Sequence, residues 1–308
     1  MEDTDWLATL DYPPVEIGFQ LTSANSTASG GSQLGVYPRD TFGVNNSITR
    51  ATVRRFGNAG IVTSQLSNEV GLSEISHGGL VGSDDACLHA DNSHTICEDY
   101  NTVPFAARKD ACVKVWHHNW VHDCEAKCMR GDDYTLNLTM HHNMIFNCGD
   151  PLSDGSGQSF GVVLKGDYNK FFHNVVLKAK NGDVVLQTGA EPKLHLKQAN
   201  IHSVLLNSVA HSWTGKGGPS PKPPTSAHFA AWAGMFDAVV TESMFRNFSA
   251  FDFFPQVNSS LIRAGVVHLP EAPPAPDGGA PDAGAYQTGG ENWVPGCTFS
   301  KRCVAGGG

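Results

Sequence analysis

Between Val113 and Cys148 the chain reads VKVWHHNWVHDCEAKCMRGDDYTLNLTMHHNMIFNC, short apolar runs broken twice by His-His-Asn at a spacing of 24 residues. Aligned on the asparagine, the pattern continues as VWHHNWVH around Asn119, TMHHNMIF around Asn143 and KFFHNVVL around Asn174. Weaker copies follow, SVLLNSVA around Asn207 and SMFRNFSA around Asn247. Three residues before these asparagines stand Trp116, Met140, Phe171, Val204 and Met244; two after them stand Val121, Ile145, Val176, Val209 and Ser249. Apolar positions at fixed offsets on both sides of a polar residue predict two short strands meeting at a bend. Asparagine tolerates the left-handed backbone of such a bend, and its amide can bond the copies above and below. The pieces are too short and too rich in Val, Ile and Phe for helix pairs, and the period is that of a solenoid.

A third strand accompanies each pair. ACLHAD (86–91), KCMRGD (127–132), VVLKGD (162–167) and VVLQTG (184–189) align so that Leu88, Met129, Leu164 and Leu186 form one apolar column. Alternation along a strand then turns His89, Arg130, Lys165 and Gln187 to the outer face. Three stacked strands per turn predict an all-β chain, a right-handed parallel β-helix. Residues 1–46 read as a partial coil or cap, 47–265 as the repeats, and 266–308 as a Pro- and Gly-rich tail with a Cys-closed segment.

These repeats resemble the pectate-lyase-like superfamily of right-handed β-helix proteins, and PDAGAYQTGGENW (281–293) is similar to a D-x-GAYE ending common on them. LKGDYNKFFHNVVLKAKNGDVVLQTG (164–189) is similar to the chondroitinase B and alginate lyase family. That resemblance implies β-elimination on a uronate-containing polysaccharide, with a lysine as base, which Lys165 matches. Gln187 stands where the family has an arginine, and Gln158 and Phe160 stand where it has calcium-binding glutamates. Arg130, one coil earlier, is the substitute cation. The Asp-Pro-His-Asp run of the mannuronan epimerases is absent from the chain.

The outer face of the third strand is therefore the candidate site. His89, Arg130 and Lys165 form a basic column, with Asp91, Asp132 and Asp167 two residues later and Gln187 at its end. Cations on such a groove can neutralise sugar carboxylates or sulfates, and aspartates can bind Ca2+ or hydroxyls. A solvated, charge-balanced sheet face reads equally from the same residues. Three function classes follow: an acidic-polysaccharide lyase, a noncatalytic glycan-binding or cell-surface protein, and a purely structural solenoid.

Charge narrows the partners. A formal net charge of −9 argues against nonspecific nucleic-acid binding. No run of 18 apolar residues predicts a membrane span. The opening MEDTDWLATLDYPPVEIG lacks the basic and apolar stretches of a secretory signal. Eight cysteines and N-x-S/T sequons at Asn25, Asn45, Asn137, Asn247 and Asn258 nonetheless point to a secreted or cell-surface monomer whose signal is not in this chain.

The repeat register pairs the cysteines as Cys124 with Cys148, Cys87 with Cys128, Cys97 with Cys112 and Cys297 with Cys303; a ladder of reduced thiols is the alternative. His118, His142 and His173 each precede a bend asparagine, with His117 and His141 beside them. They read as a hydrogen-bonded ladder at the turn edge or as a zinc or copper site, for which Asp123 is the one candidate orienting carboxylate. The RGD at 130–132 falls within a strand.

Overall fold

The computed structural model describes residues 16–22, 29–31, 34–37, 47–57, 59–63, 68–79, 86–90, 112–132, 135–149, 159–186, 200, 202–215, 218–220, 231–234 and 240–296. Its strands wind into a right-handed parallel β-helix of three sheets. Sheet one stacks Asn68–Gly71, Lys114–His117, Leu138–His141, Lys170–Phe172, Val204–Leu206 and Ala231–Ala233. Sheet two stacks Glu74–Gly78, Trp120–Cys124, Met144–Cys148, Val175–Ala179 and Val209–Ala210. Sheet three runs from Leu34–Tyr37 through Ala59–Val62, Ala86–Ala90, Lys127–Gly131, Phe160–Leu164 and Gly182–Leu186 to Trp213–Gly215. The long strand Ser47–Phe56 pairs with both Asn68–Gly71 and Glu74–Gly78, so sheets one and two begin as one ribbon.

Alternation fills the interior with one column per sheet. Val70, Trp116, Met140, Phe171 and Leu205 stack in sheet one, and Ile75, Val121, Ile145, Val176 and Ala210 in sheet two. Ile61, Leu88, Met129, Val162, Val184 and Trp213 stack in sheet three. All belong to one continuous buried core.

The bend between sheets one and two is held by a ladder of buried amides. The Asn119 side chain donates to Oδ1 of Asn143 at 3.0 Å, and that of Asn143 to Oδ1 of Asn174 at 2.9 Å. Serines end the ladder: Asn174 N–H donates to Ser208 Oγ, and Ser73 N–H to Asn119 Oδ1. The left-handed residue is the one before each asparagine: Leu72, His118, His142, His173 and Asn207 have φ of 50–53°. The asparagine thus bonds across coils while its predecessor makes the bend. Asn207 accordingly sits in the histidine column and Ser208 in the asparagine column, one residue off the sequence alignment, so that Leu205 rather than Val204 faces inward. Asn247 lies outside the coils, in the short strand Phe245–Asn247 that pairs antiparallel with Asp252–Pro255.

Residues 240–296 instead cover the outer face of sheet two. Val240, Phe245, Phe253, Phe254, Leu261 and Tyr286 pack on Trp120, Met144, Phe146, Val175, Leu177 and Val209. Trp120 Nε1 donates to the Tyr286 hydroxyl at 3.1 Å, and that hydroxyl donates to the Trp293 carbonyl at 2.8 Å. No helix among the described residues is long and apolar enough to cross a membrane.

The cysteines stack as expected yet bond differently. Cys124 lies in register with Cys148, but the disulfides are Cys87–Cys124 and Cys128–Cys148, with Cα–Cα distances of 6.3 and 5.6 Å. In-register neighbours carry parallel Cα–Cβ bonds, which keeps their Cβ atoms about 4.8 Å apart, outside the usual disulfide range of about 3.5–4.5 Å. Cysteines on sheets two and three meet across the corner, where their side chains converge. Each disulfide thereby ties one coil to the next. Cys112 is disulfide-bonded as well; Cys97, Cys297 and Cys303 lie outside the described residues.

Candidate functional site

Four of the sequence-predicted residues come together on the outer face of sheet three, around Asp132. Arg130 Nη2 lies 2.6 Å from Oδ2 of Asp132, Lys165 Nζ lies 2.6 Å from Oδ1, and His89 Nε2 lies 3.6 Å from Oδ2. Arg130 is directly in register with His89. The next place in that column belongs to Val163, not Lys165. Leu164 stacks on Leu186 as the sequence alignment has it, but on Gly131 rather than Met129, two residues away, and Lys165 N–H bonds the Gly131 carbonyl. A slip of two keeps every side chain on its predicted face while changing its neighbours. It moves Lys165 from beside a guanidinium to beside a carboxylate.

The cluster is largely shielded: the side chain of Arg130 is 9% exposed, that of Asp132 13% and that of Lys165 21%. Burial alone would push the Asp132 carboxyl up, but the nearby His89 imidazole and the charges of Arg130 and Lys165 outweigh it and hold it well below its ordinary value. Both carboxylate oxygens of Asp132 thus face cations. Asp167 is buried beside the bridge from Leu136, two residues beyond Lys165. Asp91 and Gln187 lie outside the described residues.

A second group of polar side chains gathers outside the asparagine ladder. His117 stacks on His141 with ring centroids 5.2 Å apart; His118 stacks on His142 at 4.9 Å, and His142 on His173 at 5.0 Å. Among the described residues no group of three or more His, Cys, Asp or Glu is placed to hold a metal ion. Asp123, the expected orienting carboxylate, instead meets His122 Nδ1 at 2.5 Å on the outer face of sheet two. Gln287 reaches His173 Nδ1 at 3.2 Å, and the Trp293 indole meets His118 edge-on at 4.9 Å.

Burial, followed by the neighbouring imidazoles, lowers His118 to about 4 and His141 to about 3, and drives His142 well below its ordinary value. Burial also lowers His173 to about 4. In the unfolded chain these rings take up protons near 6.5, so their contribution to stability is present above that value and lost as pH falls toward 4. His122 works in the opposite sense: burial lowers it, but the hydrogen bond to Asp123 and the nearby Glu74 carboxylate raise it overall. With five lowered rings, His77 included, against one, the thermal midpoint is expected to drop between pH 7 and pH 5. His141→Phe, which copies Phe172 in the same column, should make that drop smaller.

No family model and no curated protein matches the chain. Among solved structures it is similar to the crystal structure of pectate lyase Pel9A, with a TM-score of 0.38 and 13% identity over 76% of this chain and 69% of that one. The parallel coils are established by the strand pairing itself.

Glu69, Gly71, Gln287 and Trp293 escaped the sequence reading. Glu69 accepts from Ser47 Oγ at 2.9 Å and meets His117 Nε2 at 2.7 Å. The available signal was the segment NEVGLS (68–73), a coil whose bend carries Ser73 where the others carry asparagine.

Proposed function

We propose that this protein recognises an acidic, uronate-containing polysaccharide along the outer face of sheet three, with Arg130 and Lys165 taking a sugar carboxylate. The convergence of Arg130, Lys165 and His89 on the single carboxylate of Asp132 carries this reading. Nitrogen donors already arranged around one carboxylate form a geometry that a second carboxylate, on a sugar, can exploit. The ladder spacing of about 4.8 Å along the sheet suits an extended chain that meets successive coils. The disulfides are compatible with an oxidising, extracellular setting.

Catalysis by β-elimination is the second reading. It would use Lys165 to take the C5 proton, Arg130 to neutralise the carboxylate and His89 to serve the leaving oxygen. The 2.6 Å contact between Lys165 and Asp132 favours recognition over this chemistry, because a base must first give up the proton that the ion pair holds. Binding and the ultraviolet absorbance of unsaturated products should be followed together on alginate, pectate and sulfated glycans. Arg130→Gln is expected to weaken binding about tenfold, the loss of one charge-assisted hydrogen bond. Turnover abolished by Lys165→Ala would establish the lyase form. Absence of binding to every acidic glycan, or binding indifferent to both substitutions, would remove the proposal.

A further inference from the structure

A cleft of about 320 Å3 opens between the histidine corner and the C-terminal cover, lined by His117, His118, His142, Gln287, Glu291 and Trp293 among others. It lies at the corner of sheets one and two and is independent of the sheet-three cluster. Its volume is at the lower end of the range for small-molecule sites. Among the described residues no lysine or arginine lines it, and Glu291 disfavours an anion.

The hydrogen bonds behind the cleft determine what it presents. A carboxylate has only acceptor positions, so the 2.7 Å contact with Glu69 requires the hydrogen of His117 to sit on Nε2. In the uncharged form of His117, Nδ1 is then bare. Its Nδ1 lies 2.9 Å from Nδ1 of His118, so the shared hydrogen belongs to His118. His118 is consequently left with a bare Nε2. The rings of His141 and His142 make the same 2.9 Å contact one coil on. Gly71 is part of the arrangement: a Cβ there would lie 2.5 Å from Nε2 of His117 and push the ring off Glu69. The low affinity of His118 for protons, caused first by burial, keeps this acceptor available at neutral pH.

The geometry points to a second ligand site that takes an uncharged, hydroxyl-bearing molecule such as a neutral sugar. The bare Nε2 of His118, oriented by Glu69 through His117, accepts the ligand's O–H. The Trp293 indole offers an apolar wall for a sugar face, while Gln287 and Glu291 supply further polar groups. His117, Glu69 and Gly71 are positioning residues, because they act through His118.

Two measurements on the full chain test this. Long-range proton–nitrogen spectra at neutral pH should show His118 protonated on Nδ1 and bare on Nε2, with Glu69→Gln and Gly71→Ala mixing the tautomers. Neutral gluco-, manno-, galacto- and xylo-oligosaccharides should then be titrated, with tryptophan fluorescence and calorimetry as readouts. At least one should bind, about tenfold more weakly to His118→Asn and to Glu69→Gln, and without competition from a saturating galacturonate oligomer. Asparagine suits the left-handed backbone at 118, and Asn207 already fills that column three coils on. A hydrogen on Nε2 of His118 would overturn the proposal. So would failure of the whole panel to bind, binding unaffected by His118→Asn, or displacement by galacturonate.

Discussion

Asn143→Ala is expected to cost about 4 kcal/mol of unfolding free energy, near the top of the range for single substitutions. Asn143 is fully buried. Its Oδ1 accepts from both the backbone and the side chain of Asn119, and its amide donates to the Trp116 carbonyl and to Oδ1 of Asn174. Alanine would leave all four groups without that partner inside the bend, each at about 1–3 kcal/mol before relaxation. Asn143→Ser should recover roughly half of the loss, because Ser73 and Ser208 already occupy the ends of the same column. Denaturant unfolding of the three proteins should rank them asparagine, serine, alanine. Equal stability of wild type and Asn143→Ala would mean that the ladder does not hold the bend.

The second large effect belongs to the disulfides. Non-reducing peptide mapping should recover Cys87 linked to Cys124 and Cys128 linked to Cys148, separated by 37 and 20 residues. In the chain-entropy account, loops of these lengths contribute about 4 and about 3 kcal/mol. Replacing Cys128 and Cys148 together by serine should lower stability by about 3 kcal/mol, with the polar hydroxyls in the core adding to the loss. A peptide linking Cys124 to Cys148 would contradict the cross-corner bonding.

The fold was legible because its signals repeat. His-Asn and its flanking apolar residues recur at Asn119, Asn143 and Asn174, and all three copies fall in register. Register in sheet three was harder to read. Similar tetrads, MRGD and LKGD, align Lys165 with Arg130, whereas packing aligns Leu164 with Gly131, where the missing side chain leaves room. A Cβ on Gly131 would meet Leu164 at 3.3 Å and Leu138 at 2.9 Å. Disulfide connectivity was hidden for a related reason, since spacing reports which residues stack and not which side chains converge. The cleft was out of reach because Trp293 and Gln287 join His118 and His173 only through the long return of the cover across sheet two.

The first strands of the coil stack have a bearing on how copies of the chain behave together. Glu16–Thr22 runs antiparallel to Ser47–Phe56, Ser29–Gly31 antiparallel to Leu34–Tyr37, and at the far end Gly218–Ser220 antiparallel to Trp213–Gly215. A parallel solenoid invites lengthening, because each terminal coil presents the edge on which another could continue. Reversing the strand direction at both ends of sheet three interrupts that template. A neighbouring copy arriving head to tail meets a strand of the wrong polarity at either end of sheet three, which disfavours continuation of that sheet in parallel.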